Sequence, residues 1–237
     1  DQTGRAALVD AAEMALRRME RDVHRALPYS LRNAAPDRIE LVRVRDVARY
    51  RQNGGPGNRR LNLNNADTAF NVLGVFPSIT APYTLGTDNP DERLVIFNLG
   101  ASPYDIYGGD AVVTPSTTAV TIIDDGNEHQ VQLNPGHEFE DSSPSHRVYI
   151  TETPVSYACT GGGLFRWSGY GYQAMQPTAA VVAANGVLMT DRVTACRFDY
   201  DPGSATRPGL MTMQLTLTND AGESVTLLHL VHVPNAI

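Results

Sequence analysis

In residues 5–27 the apolar side chains fall at Leu8, Ala12, Leu16, Met19, Val23 and Leu27, in steps of three and four. That spacing is one face of a 3.6-residue period, and it predicts an amphipathic helix over 5–27. Ala11, Ala15 and Ala26 widen the stripe, while Asp10, Glu13, Arg17, Arg18, Glu20, Arg21, Asp22 and Arg25 make up the polar side. Pro28 disfavours helical geometry at Leu27 and ends the run. Downstream, over 38–234, the pattern reads as strand and loop. Strict alternation over 210–218 sets Met211, Met213, Leu215 and Leu217 against Thr212, Gln214, Thr216 and Thr218. After a turn at 219–223 an apolar run at 225–233 returns, which predicts a hairpin. A second hairpin pairs 120–123 with 129–133 around Gly126 and Asn127. Residues 39–50, 94–99, 146–152, 155–159, 164–172 and 192–200 read as further strands. Segment 179–189 fits helix or strand equally well. A helix with an apolar stripe cannot bury it alone, so it must lie on this sheet or on a partner.

Composition narrows the chemistry. All 19 basic residues are Arg. Without lysine, a Walker A phosphate loop and a Schiff-base enzyme are excluded. The charge is unevenly placed. Residues 1–60 carry 13 Arg and 8 acids, and residues 61–237 carry 6 Arg and 18 acids, so +5 and −12 give the net −7. The acids interleaved in the basic part, with no aromatic platform beside them, argue against nucleic acid as a partner. Opposite signs at two ends suit the binding of other protein subunits. The longest apolar run of the C-terminal half, 179–184, is far too short to span a membrane. The chain begins with Asp rather than Met, which is read as a processed or trimmed start. Two cysteines, Cys159 and Cys196, are too few for a structural zinc site. They form one disulfide or two buried thiols; the disulfide is the favoured reading and implies an oxidising compartment.

Catalytic and metal motifs are weak. His229 and His232 are three apart on a strand, hence on opposite faces. His137, Glu138, Glu140, Asp141 and His146 offer metal-ligand chemistry, but a solvated acidic loop is the simpler reading. Asp199, Asp201 and Gly203 resemble the start of a calcium loop that lacks its later ligands. No nucleophile elbow is present, and Asp124 with Asp125 reads as a solvated turn. The expectation is a protein without catalytic, cofactor or metal residues and without a small-molecule substrate. Phe165, Trp167, Tyr170 and Tyr172 sit within the span closed by the cysteines. Trp167, Tyr170 and Tyr172 form a candidate recognition surface, against the ordinary alternative of sheet packing.

A resemblance rests on particular residues. Ala15, Leu16, Arg17, Arg18 and Met19, then Arg21, Asp22, Arg25, Ala26, Leu27, Pro28, Ser30, Leu31 and Arg32, resemble the exposed half of a type IV pilin helix. Pro154, Val155, Tyr157, Cys159, Leu164, Arg166, Gly169 and Tyr170 continue the likeness. So do Cys196, Phe198, Tyr200, Gly209, Leu210, Leu215, Leu217, Glu223, Val225, His229, Val231, His232, Val233, Asn235 and Ala236. The pattern is similar to minor pilins of the MSHA biogenesis MshO family, related to PilW-like minor pilins and type II secretion J pseudopilins. Leu230 and Pro234 depart from it, and residues 51–150 carry no matching motif. The resemblance implies an α+β, type IV pilin-like fold: one head domain over 1–237, with a long N-terminal helix packed on antiparallel sheet. It also implies an absent hydrophobic half-helix that anchors the subunit in the inner membrane, with a periplasmic head that later joins an extracellular pilus. Its partners would be other minor pilins and the major pilin, and Cys159 and Cys196 would be the disulfide typical of such heads. On this reading Arg17, Arg18, Arg21 and Arg25 are the subunit-interface candidates. The rival expectation is a secreted β-rich ligand-binding or adhesin module.

Overall fold

The computed structural model describes residues 2–204 and 206–235. Helix α1 spans Gln2–His24, and strands β1 (Arg32–Ala35) and β2 (Arg38–Arg49) follow. Next come β3 (Asp67–Asn71), β4 (Tyr83–Thr84), β5 (Arg93–Val95), β6 (Ala119–Asp125), β7 (Glu128–His137), β8 (Arg147–Thr160) and β9 (Gly163–Ser168). A short helix α2 (Ala179–Asn185) precedes β10 (Val187–Thr190), β11 (Val193–Asp201), β12 (Gly209–Thr218) and β13 (Ser224–Val233). The chain divides into two compact units. One holds the chain up to Arg43 with Pro154–Tyr170 and Met175–Asn235; the other holds Val44–Thr153 and Gly171–Ala174.

In the first unit, β11, β12 and β13 form an antiparallel meander in which Cys196 faces Leu215 and Met213 faces His229. The alternation of β12 has its expected consequence: Met211, Met213, Leu215 and Leu217 are buried on one side. They meet Leu8, Ala12, Ala15, Leu16, Met19 and Val23 of α1 in one core. A second sheet, ordered β1–β2–β8–β9–β10, adds Ile39, Leu41, Val155, Tyr157 and Leu164 to that core, and Leu31 joins it from just before β1. A disulfide joins Cys159 on β8 to Cys196 on β11, so it staples the two sheets. The undecided segment 179–189 is both things in turn. Thr178 accepts a hydrogen bond from the Val181 amide and starts α2. Gly186 then ends the helix at a place where a Cβ would lie 2.5 Å from the Val182 carbonyl oxygen, and β10 begins.

The helix stops at His24 and not at Leu27. The Arg25 and Ala26 amides donate back to Asp22 and Val23, a tightened last turn, and the Leu27 amide donates 2.8 Å to the Val42 carbonyl on β2. Once that donor belongs to a strand, the helical ladder has no further rung.

In the second unit, β3, β7, β6 and β4 form a sheet in that order, and β5 pairs with β8. Phe70, Val72, Phe76, Leu94, Ile96, Ile122, Val131, Phe139, Val148 and Ile150 fill its core. The loop after β4 is fixed by Glu92, which accepts from Arg45, from the Tyr83 hydroxyl at 2.7 Å and from the Gly86 amide at 2.9 Å.

The expected class, α+β with a long helix packed on antiparallel sheet in the type IV pilin manner, is corrected. Among the described residues strands hold 45% against 13% in helices, in three antiparallel sheets, so the fold is mostly β. The physical reason lies in residues 51–150, where no motif matched. Their apolar residues, from strands and loops alike, build a second β core.

Candidate functional site

The polar side of α1 is the place to begin. Arg17, Arg18, Arg21 and Arg25 are all exposed, as their spacing on the far side of the stripe requires. Arg17 is held by Glu13 at 2.8 Å, the helical i, i+4 pair, and the same guanidinium keeps the Glu13 carboxyl below the ordinary carboxylate range. Glu13 and Glu20 also flank His229 of β13, at 3.4 and 3.5 Å. No ion pair engages Arg18 or Arg21 among the described residues.

Asp22 departs from the expected polar face. It is buried, and its carboxylate is the centre of a network. Oδ2 accepts from the Tyr157 hydroxyl at 2.6 Å and from Arg166 Nε at 3.1 Å, with Arg166 Nη2 at 3.0 Å. Arg43 Nε stands 3.5 Å from Oδ1. Burial and then the Asp22 charge push the Tyr157 phenol well above its usual value. For Arg166 burial pulls the other way, but Tyr157 and Asp22 outweigh it and hold the guanidinium firmly charged. Sequence reading placed Asp22 with the charged side chains, yet it stands seven residues after Ala15 and shares the stripe. A carboxylate on an apolar stripe was the signal, since such a group must find cations inside.

Around this network lies a cleft of about 440 Å³, lined by Arg18, Arg21, Asp22, His24, Arg25, Arg43 and Arg166. Five arginines surround one carboxylate, a local excess of positive charge in a chain whose net charge is −7. Three of the four expected interface arginines therefore rim one cleft; Arg17 does not line it. Arg18 and Arg166 also line an adjoining hollow of about 170 Å³, shared with Trp167, Ser168, Val187 and Met189.

The expected aromatic surface draws its residues from both units. Trp167 and Tyr170 stack at 4.1 Å in the first unit. The Tyr170 hydroxyl is spent inside, donating to Glu40 at 2.8 Å and bonding Ser156 at 2.7 Å. Burial raises the Glu40 carboxyl, against the opposing pull of Arg32 and Tyr170. Tyr172 belongs to the second unit, where its hydroxyl bonds Thr151 at 2.6 Å. There it lines, with Arg93, Tyr107, Ser116 and His137, an open cleft of about 530 Å³.

The remaining candidates resolve into local structure. His137 packs edge-on against Phe139 and its Nε2 lies 3.0 Å from the Ala111 carbonyl oxygen. Asp201 is tied by Arg207 at 2.9 Å and by the Gly203 amide at 2.9 Å, an Asx-type turn after β11. Asp199 pairs with Arg197. Among the described residues no group of three or more His, Cys, Asp or Glu side chains is placed to hold a metal ion. No protein-family model, no curated protein and no solved structure matches the chain.

Proposed function

We propose that this chain is an assembly subunit that works by docking to other subunits, in the role that the resemblance implies: a minor pilin that primes or tips a type IV, MSHA-like filament. The observation that carries the reading is α1, whose apolar stripe is fully spent on its own sheets while Arg17, Arg18, Arg21 and Arg25 face outward. A helix buried on one side and cationic on the other is suited to meeting a neighbour of opposite charge. The Cys159–Cys196 disulfide supports a head that matures in an oxidising space, as a periplasmic and then extracellular subunit does. Among the described residues no helix is long and apolar enough to cross a membrane. The proposed inner-membrane anchor is thus a segment outside them. The partners on this reading are other minor pilins and the major pilin. Isolation of the tagged, full-length protein from its native envelope tests it. Co-purification of pilin-like subunits in stable ratio is expected, and their absence after mild crosslinking overturns the reading.

A second reading, a ligand-binding or adhesive module, is favoured by the cleft of the second unit, which Tyr172 lines. Ser116→Trp fills that cleft from an exposed position. Loss of surface adherence with filament number unchanged would favour this reading.

A further inference from the structure

The cationic cleft beside α1 and the hollow beside Trp167 meet at two shared side chains, Arg18 and Arg166. One is positively charged and the other is partly apolar, being lined by Trp167, Val187 and Met189. Val187, opposite Arg166 on β9, is 73% exposed and shares the hollow with Trp167. The cleft already shows which ligand its arginines accept. Arg43 and Arg166 converge on the Asp22 carboxylate, while Arg18 and Arg21 on the same rim have no ion pair among the described residues.

From this juxtaposition we infer that the surface is a recognition site for a short acidic peptide segment of a partner protein, with carboxylates in the arginine cleft and an adjacent apolar side chain in the Trp167 hollow. It deepens the docking reading and rests on it only for the source of the peptide. Planar guanidiniums suit carboxylates and phosphates alike, through paired N–H donors. The neighbouring apolar hollow is what favours a polypeptide. A nucleic-acid backbone would use the arginines and leave Val187 and Met189 in water. Trp167 and Tyr170 also stack on each other, so that ring face is not available to a base. Long-range attraction from the arginines would speed encounter, and the hollow would fix the register.

Trp167 is the only tryptophan of the chain, so it reports on its own hollow. The whole protein is titrated with a blocked peptide of three glutamates followed by leucine, and Trp167 emission is followed. A saturable change is expected, weakened as added salt shortens the screening length from about 10 Å to about 3 Å. Arg18→Glu with Arg21→Glu should weaken binding at least about tenfold. Arg207→Glu, an exposed arginine that lines neither cavity, should leave it unchanged. Replacing the leucine of the peptide by serine should weaken binding, and so should Val187→Ser. Equal responses to inorganic phosphate, to a DNA oligonucleotide or to the serine peptide would overturn the inference in favour of a general anion site. No response, or one that survives the double reversal in a protein with unchanged melting, would overturn it outright. The two readings separate cleanly. Peptide binding without co-purifying pilin-like subunits leaves this site standing and sinks the proposed function; the reverse result sinks the site.

Discussion

Replacing Asp22 is the most informative perturbation of the first unit. Its side chain is 10% exposed, with Arg166 at 12% and Arg43 at 21%. At separations of 3.0 and 3.5 Å and an effective dielectric of about 20, each arginine is attracted by about 5 kcal/mol. Desolvating three charges offsets most of that, so the intact network adds little net stability. Removing the carboxylate alone is a different matter. Asp22→Ala leaves two half-buried guanidiniums without their shared carboxylate and the Tyr157 hydroxyl without its acceptor. Breaking such a network by one partner costs about 3–5 kcal/mol. For a chain of this length 1 kcal/mol moves the melting temperature by about 2–4 °C, so a drop of about 6–20 °C is expected. Circular dichroism melts and urea unfolding of the oxidised protein measure it. The same residues replaced together, Asp22→Leu with Arg43→Met, Arg166→Met and Tyr157→Phe, should recover most of the loss, because no charge is then stranded. A loss below about 1 kcal/mol for Asp22→Ala, or a double-mutant cycle with Arg166→Met showing no coupling, would show that Asp22 does not hold the network together.

Cys159→Ser should lower stability by about 3–4 kcal/mol, since a bridge across 37 residues restrains the unfolded chain; equal melting of oxidised and reduced protein would contradict this. Leu16→Ala, at a fully buried site between α1 and β12, should cost about 2–5 kcal/mol in urea unfolding. Tyr170→Phe should cost about 1–3 kcal/mol by leaving Oε1 of the buried Glu40 without its donor while Arg32 still holds Oε2, and melting of the variant reads it directly. Burial lowers the His137 pKa from 6.5, against the opposing effects of the Ala111 carbonyl and Glu138. Between that lowered value and 6.5 the unfolded chain binds more protons, so stability is complete above 6.5 and is lost as the pH falls below it. His137→Gln should flatten that part of the melting-temperature profile.

Much of the first unit was legible because its elements are periodic. The step of three and four from Leu8 to Val23 and the strict alternation of β12 both reflect one-sided burial, and burial is what periodicity records. The end of α1 was misjudged by three residues because a strand, through Val42, took the Leu27 amide. In the second unit the hairpin of 120–123 with 129–133 was legible, and it stands as β6 and β7, but most of the rest was not. There β3, β4 and β5 are short, β4 being only two residues long, and the core is gathered partly from loops through Phe76, Ile79 and Phe139. The exposed arginines could be read from their angular positions, whereas the cleft they rim depends on Arg43 and Arg166, brought from β2 and β9. Trp167 and Tyr170 belong to the first unit and Tyr172 to the second, a division that sequence proximity does not reveal.

The central claim is that the cationic outer side of α1 is where this subunit meets its neighbours. Reversing Arg17, Arg18, Arg21 and Arg25 to Glu together, in cells whose only copy carries the change, tests it most directly. All four side chains are exposed, so the variant should fold and form the Cys159–Cys196 bridge. The expected result is that pilin-like subunits no longer co-purify with it and that surface filaments are lost. Filaments at normal number, with the same subunits bound to the reversed protein, would contradict it.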